Sequence, residues 1–190
     1  MLIDQRPVTI AIDPGIRGAG VAFFVGPRLH QASYVVNPAT SGNQTSECVS
    51  LAREVSNAVV LAMRGTVKRP VKLVTEWPRA YTFGKQKGDQ NDLLPLVGVN
   101  CAVAALLQDV VGSTCELLSL HPDEWKHQVP KYTMNKRVWD ILVTGEQSLV
   151  QRRNQKPPGG SIGLDHNTLD AVGIGLHAVG RLERSRVLPP

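Results

Sequence analysis

The sequence of 190 residues lacks several features that mark particular classes of protein. It has three cysteines, an odd number, with no CxxC pair and no zinc-ligand spacing, which argues against a disulfide scaffold and a zinc module. No apolar run reaches the roughly 18 residues of a membrane span, and the first residues do not combine a basic region with an apolar one. We therefore expect reduced, buried cysteines, a cytoplasmic protein, and neither a membrane span nor a secretion signal.

Internal repeats and composition shifts are also missing, which favours one domain over residues 1–190. Hydrophobic residues make up 42% and charged residues 19%, close to globular averages. The net charge of +5 suits a polyanionic partner without requiring one. Residues 151–162 concentrate Arg, Lys, Pro and Gly, and this composition predicts a mobile basic loop.

The pattern of apolar residues predicts three strands first and then an alternation of helices and strands. The predicted strands are Val8–Ile12, Gly20–Val25, Leu29–Val36, Val71–Thr75 and Thr114–Leu120. The predicted helices are Ser46–Met63, one from about residue 92 to Val110, a short turn after His121, Asn135–Val143 and Asp165–Glu183. This order predicts an α/β fold, a mixed five-stranded sheet with helices on both faces, because parallel strands need helical crossovers.

Three acidic residues lie next to apolar segments, where a carboxylate needs a cation or a hydrogen-bond donor as a partner. Asp13 and Glu76 each end an apolar strand, and Asp170 lies on the apolar face of the last helix. Taken singly, Asp13 is typical of a turn cap, and Glu76 of a solvated strand end. Together they predict a cluster of oxygen ligands for hard divalent cations. Two such ions about 3.5–4 Å apart activate a water and stabilise a leaving oxygen, which favours phosphodiester hydrolysis.

Five segments carry a resemblance to a known family: AIDPGIRGAGVAF, VTEWPRAY, NDLLPLVGVNCAVAALL, HPDEWKHQVPKYTMNKRVW and DHNTLDAVGIGLHAVGRL. They resemble the RuvC-type Holliday-junction resolvases of the RNase H-like superfamily, including phage and organellar relatives. The resemblance implies an RNase H-like fold and a homodimeric endonuclease of DNA recombination and repair. It further implies dependence on Mg²⁺ or Mn²⁺, with two ions in each active site, and paired nicks in opposed strands of branched DNA, a four-way junction.

The resemblance implies that Asp13, Glu76 and Asp170 are catalytic metal ligands. Relatives place an Asp or His three, sometimes four, positions before the last Asp, and this chain has Asn167 and His166 there. Residues three and four apart share a helix face, so both positions stay open. We favour His166 as the fourth catalytic metal ligand, because a neutral imidazole binds metals and carries protons near neutral pH. Asp165 is better suited to capping the helix.

Basic and aromatic residues surround the predicted site. The loop after Glu76 and the segment after His121 supply candidate DNA contacts: Arg79, Tyr81, Phe83, Lys85, Lys126 and Lys136. Tyr81 and Phe83 would stack on unpaired bases, as the family's loop does, or else cover the edge of the core. The two later lysines resemble the family's basic residues near the scissile phosphate, or are simply solvated. Trp125, Trp139 and His177 are expected in the core or an interface.

Other functions with this fold remain as alternatives. A non-catalytic junction-binding protein need not keep the three acids together, and an RNA–DNA hybrid ribonuclease would keep both fold and acids. An actin-like ATPase or sugar kinase needs two such domains, for which the chain is too short. The apolar segment Leu93–Leu107 is a candidate dimer surface. The sequence leaves open the cleavage preference, a branch-migration helicase partner, and whether the location is a nucleoid, an organelle or a phage-infected host.

Overall fold

The protein forms a mixed five-stranded sheet with the strand order β3-β2-β1-β4-β5. The computed structural model describes residues 6–39, 42–64, 70–79, 93–111, 115–127, 129–150 and 165–182. The strands are β1 (Val8–Asp13), β2 (Gly18–Val25), β3 (Arg28–Val36), β4 (Val71–Glu76) and β5 (Cys115–Leu120). The first three pair antiparallel, and β4 pairs parallel with both β1 and β5. This confirms the predicted mixed sheet.

Helices cover both faces of the sheet, also as predicted. They are α1 (Gln44–Ala62), α2 (Leu93–Val111), α3 (Pro122–Trp125), α4 (Lys131–Ile141), α5 (Thr144–Gln147) and α6 (His166–Ala178). On one face, Ile10 and Leu73 of the sheet share a buried cluster with residues of α1 and α2. On the other face, Ala11 and Val74 share a cluster with residues of α3, α4 and α6.

Two predicted helix boundaries are wrong. Helix α4 begins at Lys131 rather than Asn135, since the Met134 N–H donates to the Pro130 carbonyl and closes a turn directly after the proline. Helix α6 ends at Ala178 rather than Glu183, because Gly180 adopts a φ of 77°. A glycine in this left-handed conformation terminates a helix. The expected basic loop over 151–162 lies outside the described residues.

Helix α2 is apolar on both its inner and outer faces. By length and composition, with a mean hydropathy of 1.8, it could cross a membrane. Its buried residues, Val99 and Val103 among them, nevertheless belong to the core cluster beneath the sheet. Cys101 lies on the outer face and is exposed, so the prediction of three buried cysteines is wrong, and Cys48 is only partly buried. The outer face of α2 is therefore an apolar surface as well as a core support.

Candidate active site

The ends of β1 and β4 bring two of the predicted acids to one edge of the sheet. These strands are parallel neighbours in which Ile12 pairs with Thr75, so Asp13 and Glu76 follow at the same level. Side chains alternate between the faces of a strand. Asp13 and Glu76 therefore leave the sheet on the face that α6 covers, as Ala11 and Val74 do two residues earlier.

Helix α6 supplies the third acid, and a glycine lets it lie close to the sheet. Asp170 is 4% exposed. Gly20 of β2 pairs directly with Asp13, and a Cβ atom at Gly20 would lie 1.9 Å from the carbonyl oxygen of Asn167. Because no side chain fills this position, α6 lies directly against the strand residue opposite Asp13. Asp170, one turn further along α6, therefore faces the same edge of the sheet.

The electrostatics of Asp13 show that the three carboxylates act on each other. Asp13 is 7% exposed, and burial raises its pKa well above the ordinary value. The charges of Glu76 and Asp170 raise this pKa further, whereas Lys126 and Lys131 lower it. The site therefore holds more negative charge than its own environment stabilises, and added positive charge would relieve it.

Glu76 is held by two neighbouring residues from the end of α3. The indole Nε1–H of Trp125 donates to Glu76 Oε2 at 2.8 Å. The ammonium of Lys126 lies 3.0 Å from the same oxygen and 3.4 Å from Oε1. Burial opposes the charged form of Lys126, but Glu76, Asp170 and Asp13 outweigh burial and raise the pKa of this lysine. From the other side of the sheet, Asn100 Nδ2 donates to the Glu76 backbone carbonyl at 2.9 Å.

Asp170 has a lysine partner of its own. Lys131, the first residue of α4, places its Nζ 3.4 Å from Asp170 Oδ2. Between the two lysines, His127 has a φ of 52°, a left-handed conformation that is uncommon outside glycine. This residue turns the chain between α3 and α4, so that lysines from both helices approach the acids.

The carboxylates of the site suit a hard divalent cation, although in the structure two of them form ion pairs with lysines. Within the described parts of the chain, no three Asp, Glu, His or Cys side chains lie close enough together to hold one metal ion. The acids nevertheless converge on one edge and offer only oxygen ligands, and burial together with the other two acids disfavours the charged form of Asp13. Metal binding would require Glu76 and Asp170 to exchange lysine contacts for metal contacts.

The residues before Asp170 occupy different positions. Asp165 is the N-cap of α6 and accepts from the Asn167 N–H at 2.9 Å, which confirms the predicted capping role. Asn167 is partly buried, with Nδ2 3.4 Å from the Gly18 carbonyl, so its amide faces the turn after β1. His166 is exposed. The choice of His166 as the fourth ligand stays a prediction, and Asn167 is the residue in contact with the strand ends.

The predicted DNA contacts separate into three groups. Lys126 lies in the site, against Glu76. Arg79 pairs with Asp123, and Lys136 pairs with Asp140 one turn along α4, so each is an exposed surface residue with an acidic partner. The remaining candidates lie outside the described residues: Tyr81, Phe83 and Lys85. The role of all six in binding DNA stays a prediction.

Sequence reasoning missed the contacts of Trp125 and Lys131. Trp125 was expected in the core, and it is buried there, but its N–H also reaches Glu76. Lys131 is not among the residues predicted for the site, yet it contacts Asp170. One signal in the sequence could have indicated these contacts. Trp125 and Lys131 lie close to Lys126, in the same segment that carries the family resemblance.

The strand order β3-β2-β1-β4-β5, with helices on both faces of the sheet, is that of an RNase H-like fold. The chain is similar to RuvC of Thermus thermophilus in complex with a Holliday junction substrate, with 15% identity and a TM-score of 0.56 over 90% of this chain and 92% of that one. It is also similar to another Thermus thermophilus RuvC structure, at 18% identity and a TM-score of 0.55 over 90% and 93% of the two chains.

A third similar structure is the yeast mitochondrial Holliday junction resolvase. Its identity is 14% and its TM-score 0.53, over 94% of this chain and 81% of that one. No known family profile matches the sequence, and no curated protein matches it. These likenesses establish the fold.

Proposed function

We propose that this protein is a structure-selective DNA endonuclease that resolves four-way junctions by metal-dependent phosphodiester hydrolysis. The observation that carries the proposal is the convergence of Asp13, Glu76 and Asp170 on one edge of the sheet, where Asp13 and Asp170 are buried. A fold that needed no metal would gain stability by replacing these acids, since buried carboxylates without full compensation are destabilising.

The three acids, with His166 as a fourth ligand, would hold Mg²⁺ or Mn²⁺. Two such ions supply the activation of the attacking water and the stabilisation of the leaving oxygen. The protein itself holds these residues in place: the Trp125 N–H donates to the Glu76 carboxylate, and Gly20 lets α6 carry Asp170 to the strand ends. Lys126 supplies a positive charge beside the acids, suited to a phosphate group in the same position.

Branched DNA is the substrate that the surrounding features favour. The net charge of +5 suits a polyanion, and the sequence segment that contains Arg79, Tyr81, Phe83 and Lys85 follows Glu76 directly. Aromatic side chains in such a position stack on the unpaired bases that a junction centre offers and a linear duplex does not. A similar fold, that of Thermus thermophilus RuvC, is known in complex with a Holliday junction substrate.

Paired nicks need two active sites, and α2 offers the surface for a homodimer. Leu94 is 65% exposed, and Cys101 and Val110 on the same helix are also exposed. In the variant Leu94→Glu we expect the dimer to dissociate, measured by sedimentation velocity. Leu61→Glu, at a leucine of α1 that is 55% exposed, is the control. A monomeric wild-type protein, or a dimer that survives Leu94→Glu, would contradict this surface.

The test of function is cleavage of a synthetic four-way junction, compared with a matched duplex and an RNA–DNA hybrid. Each substrate is incubated with Mg²⁺, Mn²⁺ or a chelator, and the ends are mapped. We expect paired, metal-dependent nicks on the junction only, with 5′-phosphate and 3′-hydroxyl ends. The Asp13→Asn variant should bind the junction and leave it intact.

Two other results would replace the proposal. Binding without cleavage in every metal would indicate a non-catalytic junction-binding protein. Cleavage of the hybrid alone would keep the fold and the acids and change the substrate to RNA. The same junction assay with added branch-migration helicase tests whether such a partner delivers the substrate.

A further inference from the structure

We propose that Trp125 is a positioning residue that orients the Glu76 carboxylate and thereby sets the metal affinity of the site. This inference rests on the proposed metal-dependent function. Its starting observation is the 2.8 Å hydrogen bond from the indole Nε1–H to Oε2 of Glu76. A tryptophan at the end of a four-residue helix would otherwise be explained by packing alone.

Packing gives the indole one position. Trp125 is 2% exposed, and the ring lies against α6 where Gly173 leaves room for it. A Cβ atom at Gly173 would lie 2.5 Å from Cζ3 of the ring. A ring confined in this way cannot follow a moving carboxylate, so Glu76 must adopt the orientation that the N–H group offers.

The second contact of Glu76 is of a different kind. The Lys126 ammonium sits on a flexible stem, 3.0 Å from Oε2 and 3.4 Å from Oε1, and its side chain is partly exposed. A divalent cation repels an ammonium but not an indole N–H, which is neutral and only donates. When metal binds, Lys126 can therefore leave while Trp125 stays.

The two carboxylate oxygens of Glu76 have different hydrogen-bond partners. Oε2 accepts the short bond from Trp125, whereas among the described residues Oε1 has the longer contact with Lys126. Oε1 is thus the oxygen left for a metal. Asn100 fixes the same residue from behind through the backbone carbonyl, so Glu76 is restrained at both its main chain and its side chain. Groups that orient a ligand in this way change metal affinity by about 10–100-fold when they are removed.

The direct test is metal binding by the protein without DNA. In Trp125→Phe the ring is kept in part and the N–H is lost. We expect Mn²⁺, followed by electron paramagnetic resonance, to bind about tenfold more weakly. Trp139→Phe, a partly buried tryptophan packed against the same core, is the control and should bind Mn²⁺ as the wild type does.

Activity separates positioning from a structural role. Junction cleavage by Trp125→Phe should approach the wild-type kcat at saturating Mn²⁺, with the half-saturating Mn²⁺ concentration raised about tenfold. A merely structural defect would lower kcat at every metal concentration, and that result would overturn the assignment. Unchanged Mn²⁺ affinity in Trp125→Phe would overturn it too, while leaving the nuclease proposal intact. A wild-type protein that binds no metal would overturn the nuclease proposal and this assignment together.

A second measurement does not depend on the stability of Trp125→Phe. The chain has three tryptophans, so the double variant Trp77→Phe/Trp139→Phe leaves Trp125 as the sole tryptophan, whose emission can be excited selectively. Mn²⁺ or Mg²⁺ should change the emission of Trp125, because the Glu76 carboxylate that accepts the indole hydrogen bond would also become a metal ligand. Adding Glu76→Gln should abolish this change. Emission that does not respond to metals that bind would contradict the inference.

Discussion

The Nζ atom of Lys131 lies 3.4 Å from Oδ2 of Asp170, so a lysine with an exposed side chain supplies the counter-charge of a buried acid. Asp170 is nearly buried, and the ammonium takes one of the directions from which a cation could approach its carboxylate. Lys126 does the same for Glu76. The metal-free site is thus neutralised in part by two groups that a divalent ion must displace.

Replacing Lys131 by Met should therefore tighten metal binding. The variant keeps the apolar stem and removes the competing charge. We expect the Mg²⁺ affinity, measured by calorimetry without DNA, to rise about two- to fivefold, because an ion pair with an exposed partner is worth at most about 1 kcal/mol. Lys136→Met, whose lysine pairs with Asp140 on the outer side of α4, should leave Mg²⁺ affinity unchanged. Weaker binding in Lys131→Met would show that Lys131 supports the metal site.

Asp13→Asn should stabilise the metal-free protein while it abolishes cleavage. Burial and two neighbouring acids disfavour the charge of Asp13, and an amide removes that charge at nearly the same volume. We expect a higher melting temperature without metal, and no further rise when Mg²⁺ is added. The wild type should instead gain stability with Mg²⁺, as a ligand that binds only the folded state requires. A lower melting temperature in metal-free Asp13→Asn would contradict this account of the site.

Gly20→Ala should separate α6 from the strand ends. The new Cβ atom would meet the backbone of Asn167 at 1.9 Å, and a backbone atom cannot rotate away as a side chain does. We expect a loss of about 1–3 kcal/mol in the free energy of unfolding. Metal affinity should fall as well, since Asp170 moves with the helix. Gly145→Ala, a helical position with no atom within 4 Å of the added Cβ, is the control and should unfold like the wild type.

The strand pattern was sufficient to predict that Asp13 and Glu76 each end a strand, and the parallel pairing of β1 with β4 in the structure brings these two strand ends to one edge of the sheet. The N-cap role of Asp165 also followed from local chemistry. The contacts of Trp125 and Lys131 did not, since they depend on how α3 and α4 approach the sheet, which no local periodicity encodes. The end of α6 was missed because apolar residues continue past Gly180, whose φ of 77° terminates the helix.

Tyr81→Ala and Phe83→Ala should impair junction cleavage more than folding. Both residues belong to the loop after Glu76, outside the described residues, and the prediction comes from the sequence. Loss of a stacked base contact is worth about 1–3 kcal/mol, or roughly five- to a hundredfold in junction affinity. Melting temperature and affinity are measured together. Unchanged affinity with a lower melting temperature would assign these side chains to the edge of the core.

Glu146 and Arg181 form a partly buried ion pair, in which the Glu146 side chain is 7% and the Arg181 side chain 22% exposed. Arg181 Nη1 lies 2.6 Å from Glu146 Oε1, and Nη2 lies 2.8 Å from Oε2. The N–H groups of Leu29 and Val143 complete the shell of the carboxylate at 2.9 and 3.2 Å. The pair therefore joins α5 to the start of β3 and to the turn after α6.

This pair should make stability depend on pH in the acidic range. Burial disfavours the charge of Glu146, but the hydrogen bonds from Arg181, Leu29 and Val143 outweigh burial and lower its pKa. A lowered pKa in the folded state means that the stabilisation is complete above the unfolded value of about 4.3 and is lost as pH falls through the folded value. We expect the melting temperature of the wild type to fall more steeply than that of Glu146→Gln below roughly pH 5.

At neutral pH, Arg181→Met should be the more damaging change, because it leaves the Glu146 carboxylate buried without its cation. Breaking a buried pair on one side costs about 3 kcal/mol. Urea unfolding at pH 7 measures this loss, and the same experiment at pH 3 should show a smaller difference from the wild type, since protonation removes the charge that Arg181 neutralises. Equal losses at both pH values would show that Arg181 stabilises the fold through its hydrogen bonds to the carbonyls of Pro27 and Ile141 instead.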